Sequence, residues 1–198
     1  MKKFLFFLLF PLIGFSQIEK KNLLVGGAMD FEFKQTKISG YNIKQTYFSL
    51  APSVGYFAHK VVMIGAQPSL YYINNSGGSS YPNLGFSVGP FLREYVKLGS
   101  NIYFFGQQNI GIGMSRDFPT SKSIPYGRYT NIDFKIGPGL SFFVNKIVGI
   151  DVGIYYTGNL NKLQIISDRQ VLSSSKFQLT NGMKFSVGFN FIVDRQMK

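Results

Sequence analysis

Residues 177–193 alternate between large apolar side chains and small or polar ones with a period of two. The apolar parity is interrupted only by Asn181 and carries Phe177, Leu179, Met183, Phe185, Val187, Phe189 and Phe191. A period of two is the spacing at which the side chains of a pleated strand point to the same face. The segment is therefore predicted to be a β-strand with one continuous apolar face.

The same alternation recurs along the chain and predicts eight strands. Their apolar faces cover residues 23–33, 46–56, 62–72, 84–92, 102–114, 132–142, 148–156 and 177–193. Each run reaches the length of about 9–11 residues that a tilted strand needs to cross a bilayer. The connections alternate in length: short turns are predicted at 58–60, 97–100 and 145–146, and long polar segments at 36–44, 74–83, 115–128 and 160–176.

The composition indicates that the apolar faces meet lipid. Charged residues make up 15% of the chain and aromatic residues 17%, whereas a soluble surface carries roughly 25–35% charged residues. Lipid cannot hydrogen-bond an open strand edge, so a sheet that spans a membrane must close on itself. We therefore predict an all-β fold, an eight-stranded antiparallel transmembrane β-barrel with short periplasmic turns and longer extracellular loops.

The first residues resemble an export signal. Lys2 and Lys3 precede the apolar run 4–13, and small residues follow it, which predicts a signal peptide over 1–16 and a barrel domain over 17–198. The expected location is the cell outer membrane, with both termini in the periplasm. The formal net charge of +12 would suggest a nucleic-acid partner in a cytoplasmic protein, but an exported chain does not meet nucleic acid.

Eight charged residues fall on the parity that faces the barrel interior. They are Asp30, Glu32, Asp133 and Asp151, with Lys34, Arg93, Lys135 and Lys184. Because the charges balance, we interpret them as a self-paired network that fills the lumen, since buried ions persist mainly when they are paired. A proton or ion path is the alternative. Counting from the periplasmic ends places Lys184 level with Asp30 or Glu32, which predicts an ion pair between the last strand and the first.

The chain offers little for catalysis or metal binding. It has one histidine, His59, and no cysteine, and His59 falls in a predicted short turn. Asp30 and Glu32 resemble a glycosidase pair only in composition, because they face a packed interior with no cleft. We assign no catalytic, cofactor-binding or metal-binding residue.

Four prolines fall on outward positions inside predicted strands, at similar heights: Pro52, Pro68, Pro90 and Pro138. Proline lacks the amide that a strand ladder needs and is normally found at edges or bulges. One interpretation is a ring of tolerated kinks that curve a narrow barrel. The other is a groove that binds a partner.

The four predicted outer segments are basic. They contain Lys37, Lys44, Arg116, Lys122, Arg128, Lys162, Arg169 and Lys176, against only Asp117 and Asp168. Arginine and lysine pair well with phosphate oxygens. Two hypotheses remain open: these residues contact lipopolysaccharide phosphates, or they are solvated loop charges.

Several segments resemble the small eight-stranded outer-membrane β-barrels of Gram-negative bacteria, the OmpA/OmpX-like and porin-family single barrels. They are APSVGYF before a short turn, GPFLREY before another, and the closing SVGFNFIV. The resemblance covers the mature chain. It also implies the barrel-insertion machinery as a partner, because Ser186-x-Gly188-x-x-Phe191-x-Val193 is similar to the terminal insertion signal of the family.

The resemblance specifies architecture more closely than role. We expect a non-enzymatic protein with an envelope structural or interaction role. The alternatives are a narrow pore or an accessory subunit of a larger transport or secretion complex, and, third, a lipid A-modifying enzyme. His59 does not match the histidine on which such enzymes rely.

Overall fold

The computed structural model describes residues 22–38, 41–76, 82–118, 126–167, 170–171 and 176–193. Its strands, in chain order, are β1 (Leu23–Ile38), β2 (Tyr41–His59), β3 (Val62–Ser76), β4 (Asn83–Lys97), β5 (Ile102–Asp117), β6 (Tyr126–Phe143), β7 (Val148–Ser167), β8 (Gln170–Val171) and β9 (Lys176–Val193). Those residues include no helix long and apolar enough to cross a membrane.

Eight of these strands form a closed antiparallel barrel. Each strand from β1 to β6 pairs with the next one along the chain, and β9 pairs with both β7 and β1, which closes the ring. The two-residue β8 pairs only with the last residues of β7. The predicted all-β, eight-stranded antiparallel barrel is confirmed. The predicted signal peptide lies outside the described residues.

The connections differ between the two ends of the barrel. At one end, which we call the short-turn end, residues 60–61, 98–101 and 144–147 join consecutive strands, where the sequence predicted short turns. In the last of them, the Asn145 side-chain oxygen accepts hydrogen bonds from the backbone N–H groups of Ile147 and Val148, at 2.8 and 2.7 Å. At the other end, which we call the long-loop end, residues 39–40, 77–82 and 118–125 join consecutive strands, and residues 168–175, which include β8, join β7 to β9. Three of these four connections are longer than any turn at the short-turn end.

The strands extend further toward the long-loop end than predicted. Pairing between β1 and β2 continues to Ile38 and Tyr41, within the polar segment 36–44 that was expected to be loop. Pairing between β5 and β6 likewise reaches Arg116 and Arg128. Where both faces of a strand meet water, the apolar alternation ends while the backbone ladder continues, so the sequence pattern marks the apolar belt and not the strand ends.

The four in-strand prolines coincide with interruptions of the ladder. Each proline is paired on one side, as Pro52 with Gly27 and Pro138 with Gly106. The β2–β3, β4–β5 and β6–β7 ladders each lack pairs at the level of a proline on their described strands. Proline has no N–H to donate, which accounts for the interruptions and favours the interpretation of local kinks.

The outer face of the barrel is apolar and the inner face is polar or packed. Along β4, exposed and buried residues alternate, with Phe86 48% exposed and the next residue, Ser87, 8% exposed. Exposed large apolar side chains recur on all eight barrel strands. This is the inverse of a soluble barrel, and it agrees with the predicted face assignment.

The short-turn half of the interior is filled by a cluster of large side chains, which we call the plug. It consists of Leu24, Phe57, Met63, Phe91, Tyr95, Tyr103, Phe105, Phe143 and Tyr155. Inward glycines make room for it: a Cβ atom on Gly65 would lie 2.6 Å from the Phe91 ring, and one on Gly149 would lie 2.9 Å from the Phe143 ring. The many small inward residues therefore accompany bulky partners on neighbouring strands.

Candidate functional site

The predicted interior charges separate into layers. Arg93, Asp151 and Asp30 are buried, and Glu32, Asp133, Lys135 and Lys184 are partly buried on the same interior face. The Lys34 side chain lies outside the described residues. Among the described residues, the ion pairs within 4 Å join Arg93 to Asp151 and Lys135 to Asp30.

The Arg93–Asp151 pair lies against the plug. The guanidinium of Arg93 contacts the Asp151 carboxylate across the lumen at 2.5 Å and donates to the Gln107 side-chain oxygen at 2.6 and 2.9 Å. It also donates to the Tyr95 hydroxyl at 3.0 Å and lies 4.2 Å from the centre of the Phe105 ring. Every polar group around this arginine is therefore used within the barrel.

The second pair lies on the long-loop side of the plug. The Lys135 ammonium contacts both Asp30 carboxylate oxygens at 3.1 Å and lies 4.2 Å from the centre of the Tyr155 ring. The Ser49 hydroxyl donates to the same carboxylate at 3.2 Å. Asp30 and Lys135 come from β1 and β6, so this pair also crosses the lumen.

The expected ion pair between Lys184 and Asp30 or Glu32 is not found within 4 Å in the described part of the chain. The β1–β9 register places Asp30 opposite Ser186, and the Asp30 carboxylate is taken by Lys135. The Lys184 ammonium lies instead 3.4 Å from the centre of the Tyr47 ring. Counting residues from the strand ends placed Lys184 in the correct part of the lumen. It did not predict that the Lys184 ammonium contacts the face of an aromatic ring.

A polar cavity of about 420 Å³ occupies the long-loop half of the interior. We call it the vestibule. Its charged lining residues are Asp30, Glu32, Asp117, Asp133, Lys135 and Lys184, and Tyr47, Tyr71 and Tyr129 add aromatic hydroxyl groups. The plug closes it toward the short-turn end, so the vestibule is a pocket within the described barrel. The expectation that Asp30 and Glu32 face a packed interior with no cleft was therefore wrong, because both line this cavity.

Asp117 organises one wall of the vestibule. Its carboxylate accepts hydrogen bonds from the Asn83 side chain at 2.9 Å, from the Gly127 backbone N–H at 3.1 Å and from the Tyr129 hydroxyl at 3.0 Å. The sequence placed Asp117 in an outer loop, and that assignment was wrong. Its parity with the buried Ser115 on β5 was the signal that could have identified it as inward-facing.

Several asparagines that were not predicted from the sequence line the vestibule. Asn83 and Asn131 are 7% and 2% exposed, and Asn159 is partly buried. Their side-chain nitrogens donate to the Asp117 carboxylate, the Tyr71 hydroxyl and the Asp133 carboxylate, respectively. Their carbonyl oxygens have no hydrogen-bond partner among the described residues.

The predicted lipopolysaccharide contacts are described only in part. The side chains of Lys37, Lys122, Arg169 and Lys176 lie outside the described residues, whereas Lys44, Arg116, Arg128 and Lys162 are exposed. Three of these come together: Arg116 on β5 is directly opposite Arg128 on β6, and Lys162 on β7 is opposite Thr130, two residues from Arg128. We call them the basic patch. Lys44 lies on β2, on another part of the ring.

The basic patch borders the apolar belt. The next outward positions on β5 and β7 are Met114 and Leu160, which are 66% and 36% exposed, whereas on β6 Thr130 lies between Arg128 and Ile132, which is 46% exposed. Arg116 also lies 5.7 Å from the ring centre of Phe118. The cationic groups therefore lie at the border of the exposed apolar surface, with Phe118 beyond them.

No three His, Cys, Asp or Glu side chains converge as a metal site in the ranges that the structure describes. His59 is exposed at the end of β2, at the short-turn end. The vestibule and the basic patch are both at the other end of the barrel.

The closed ring, the apolar belt and the packed lumen define a small outer-membrane-type β-barrel. The chain is similar to the crystal structure of Neisserial surface protein A, with a TM-score of 0.60, 15% identity and coverage of 85% of this chain and 96% of that one. It is also similar to OprG of Pseudomonas aeruginosa, with a TM-score of 0.56, 10% identity and coverage of 90% and 98%.

A third similar structure is the N-terminal barrel domain of Pseudomonas aeruginosa OprF. The TM-score is 0.53 at 11% identity, over 88% of this chain and 98% of that one. No protein-family model and no curated protein sequence matches the chain. At these identities the likeness concerns the fold, and at that level the resemblance to small outer-membrane barrels is confirmed.

Proposed function

We propose that the chain is an exported protein of the outer membrane, with its short-turn end and both termini in the periplasm. The exposed apolar belt supports this location, because a large exposed apolar surface marks a protein or membrane contact, and exposed apolar side chains recur on all eight strands of the ring. The asymmetry of the connections supports the orientation, since outer-membrane barrels keep short turns in the periplasm and longer loops outside.

We further propose that the protein has a non-enzymatic interaction role and that its basic patch binds lipopolysaccharide phosphates. The observation that carries this proposal is the placement of Arg116 directly opposite Arg128, with Lys162 beside them. Like charges directly opposite each other destabilise a strand pair. A phosphate between them removes that repulsion and accepts paired hydrogen bonds from both guanidinium groups.

The height of the basic patch fits the same ligand. Phosphates of the outer leaflet lie just beyond its acyl chains. Arg116 and Lys162 directly follow exposed apolar residues of β5 and β7, and Arg128 lies one outward position further from the apolar residues of β6. Lys44 and the other basic residues of the outer segments would add to a field that attracts anions.

Two further partners belong to this proposal. Strand β9 ends at Val193, which is the last position of the stretch similar to the family's insertion signal. We therefore propose the barrel-insertion machinery as a partner during biogenesis. A larger envelope complex is a further proposed partner, to be tested by gentle purification from native membrane.

The alternatives receive less support from the described residues. A narrow pore would have to pass the plug, in which Phe57, Met63 and Phe105 are fully buried. A lipid A-modifying enzyme would need an activated group near the outer leaflet, and His59 lies at the opposite end of the barrel. Conductance across a planar bilayer tests the first alternative, and mass spectrometry of lipid A tests the second.

The proposed lipid contact predicts a thermal shift. Added lipopolysaccharide should raise the melting temperature of the barrel in detergent, and the shift should weaken with salt, because exposed charges are screened. Replacing Arg116, Arg128 and Lys162 by glutamine should remove most of it. The matched control replaces Lys60, Lys97 and Lys146 at the short-turn end, which changes the net charge equally. A shift that survives the first triple substitution, or is lost equally in the second, would contradict the proposal.

A further inference from the structure

We propose that the vestibule is a binding site for a small organic cation that carries several N–H donors, such as a diamine or a guanidinium compound. This inference is independent of the lipopolysaccharide proposal, because it concerns the barrel interior and a ligand of opposite charge. It rests on the charge of the lining, the unused acceptors, the aromatic faces and the size of the cavity.

The lining of the vestibule is acidic although the chain as a whole is basic. Among the described residues, its charged members are four carboxylates and two lysines, a net charge of −2 for this part of the lining, against +12 for the sequence. Three carboxylates have partners: Asp30 pairs with Lys135, Asp117 accepts three hydrogen bonds, and Asp133 accepts one from the Asn159 side chain. The ion pairs within 4 Å among the described residues include neither Glu32 nor Asp133. The other lysine of the lining, Lys184, has its ammonium over the Tyr47 ring.

The unpartnered groups at the vestibule are acceptors. The carbonyl oxygens of Asn83, Asn131 and Asn159 have no partner among the described residues, although each amide nitrogen does. An ionised carboxylate only accepts, so Asp117 and Asp133 fix the orientation of Asn83 and Asn159. A buried acceptor without a partner destabilises the fold, because it has lost its hydrogen bonds to water. Such a site therefore favours a ligand rich in donors over one rich in acceptors.

The interior already shows how it stabilises ammonium groups. Lys184 and Lys135 lie 3.4 and 4.2 Å from the centres of the Tyr47 and Tyr155 rings. Contact with the face of an aromatic ring favours a cation, and more so where water is excluded. Tyr47 also stacks with Tyr71, with ring centres 5.9 Å apart, so aromatic surface forms part of the lining beside the Lys184 ammonium.

The volume suits a small molecule. Small-molecule sites usually enclose about 300–1,000 Å³, and the vestibule has about 420 Å³. Because the plug closes the barrel below it, the ligand would be held at the long-loop end and not conducted.

The test is a titration of the purified full barrel in neutral detergent at low salt. Agmatine and 1,4-diaminobutane are the probes, and 1,4-butanediol is the neutral match of similar size. We expect saturable heat release in isothermal calorimetry with both cations and none with the diol. Exchange of Glu32→Gln together with Asp133→Asn should weaken the affinity by about tenfold for each charge removed, since charge-assisted hydrogen bonds are the strong ones.

Glu94→Gln is the matched control for Glu32→Gln, because each changes the net charge of the chain by one unit, and Glu94 lies at the short-turn end of β4, away from the vestibule. It should leave the affinity unchanged. If the double variant does not fold, Glu32→Gln alone gives the same test, because none of the hydrogen bonds found among the described residues uses the Glu32 carboxylate. An absence of saturable binding, or an equal loss in Glu94→Gln, would overturn the proposal and leave a water-filled cavity.

Discussion

The two halves of the barrel interior are enclosed by the same strands but are filled in different ways. The short-turn half contains the plug and the Arg93–Asp151 pair. The centres of neighbouring aromatic rings in the plug are 5.4–6.3 Å apart. The long-loop half contains the vestibule, whose polar groups are only partly satisfied by one another. A narrow barrel can therefore divide its interior into a part that stabilises the fold and a part available for a ligand.

The prolines mark the boundary between these halves. On β4, Gly89 lines the vestibule, Pro90 follows it and Phe91 belongs to the plug. The ladder between β4 and β5 is interrupted at this level. The same level on β6 carries Pro138, beside the interrupted ladder to β7. The interruptions of the ladders therefore fall at the level where the filling of the lumen changes.

The wall of the barrel differs between the halves as well. Strands β1 and β9 are paired from Leu23 with Val193 to Phe31 with Phe185, and the described pairing ends there although both strands continue. The ladders on their other sides continue to Ile38 and Lys176. The seam is thus closed beside the plug and loosened beside the vestibule.

The largest expected difference concerns the two ion pairs. Asp151→Ala leaves the buried Arg93 charge without its partner and should lower the free energy of unfolding by about 3–5 kcal/mol. Asp30→Ala should cost less, about 1.5–3 kcal/mol, because Lys135 keeps the Tyr155 ring and borders the vestibule. Urea-induced unfolding in lipid vesicles, followed by circular dichroism, measures both losses.

A double variant provides the control for that measurement. Arg93→Met together with Asp151→Ala removes both charges, so it should recover much of the loss seen in Asp151→Ala. Equal losses of unfolding free energy in Asp151→Ala and Asp30→Ala would mean that water is excluded equally from both ion pairs. The distinction between the plug and the vestibule would then fail.

A smaller difference is expected on the outer face. Phe189 and Phe33 are both exposed, at 48% and 80%, but Phe189 lies on the closed part of the seam and Phe33 beyond it. Arginine at the bilayer midplane costs about 2–4 kcal/mol, falling to about 0–1 kcal/mol near the interface. Phe189→Arg should therefore impair folding into liposomes much more than Phe33→Arg. A reversed order would place the apolar belt at the wrong height.

The strands, their faces and the closure of the barrel could be predicted because lipid imposes them residue by residue. An outward position such as Phe86 must be apolar, and the inward Ser87 beside it need not be, so the alternation is visible in the sequence. The plug was less visible. Its rings share a parity with many glycines, and only the register shows that Gly65 lies against Phe91 and Gly149 against Phe143.

The partners of the interior charges could not be predicted, because they depend on contacts across the lumen. Asp30 was expected to meet Lys184 from the adjacent strand, yet it pairs with Lys135 from β6. Alternation specifies that a side chain points inward, but not how far across a narrow barrel it reaches. The vestibule was missed for a related reason, since asparagine and tyrosine at inward positions resemble ordinary filling until their unused acceptors are seen together.

The smallest expected effect concerns the seam itself. Backbone amides of residues 25–31 on β1 lie between two paired strands, whereas Glu32 and Phe33 are paired in the described structure only with β2. Local openings require less free energy where fewer backbone hydrogen bonds must break, at about 0.5–1.5 kcal/mol for each bond. The free energy of opening should therefore be lower by roughly that amount at the amides of residues 32–33 than at those of residues 25–31. Hydrogen exchange at residues 32–33 should be correspondingly faster.

Introduced cysteines sharpen this last prediction, because the chain contains none of its own. Phe31 and Phe185 are paired across the seam, so cysteines at these positions should form a disulfide on mild oxidation.

Continuation of the same register would place Phe33 opposite Met183, where the described ladder has ended. If the seam is loosened there, the Phe33→Cys, Met183→Cys pair should oxidise more slowly, and bound diamine should change its rate more than that of the Phe31→Cys, Phe185→Cys pair. Equal oxidation of both pairs, with uniform protection along β1, would mean that the seam is closed over its whole length and that only the filling of the lumen distinguishes the two halves.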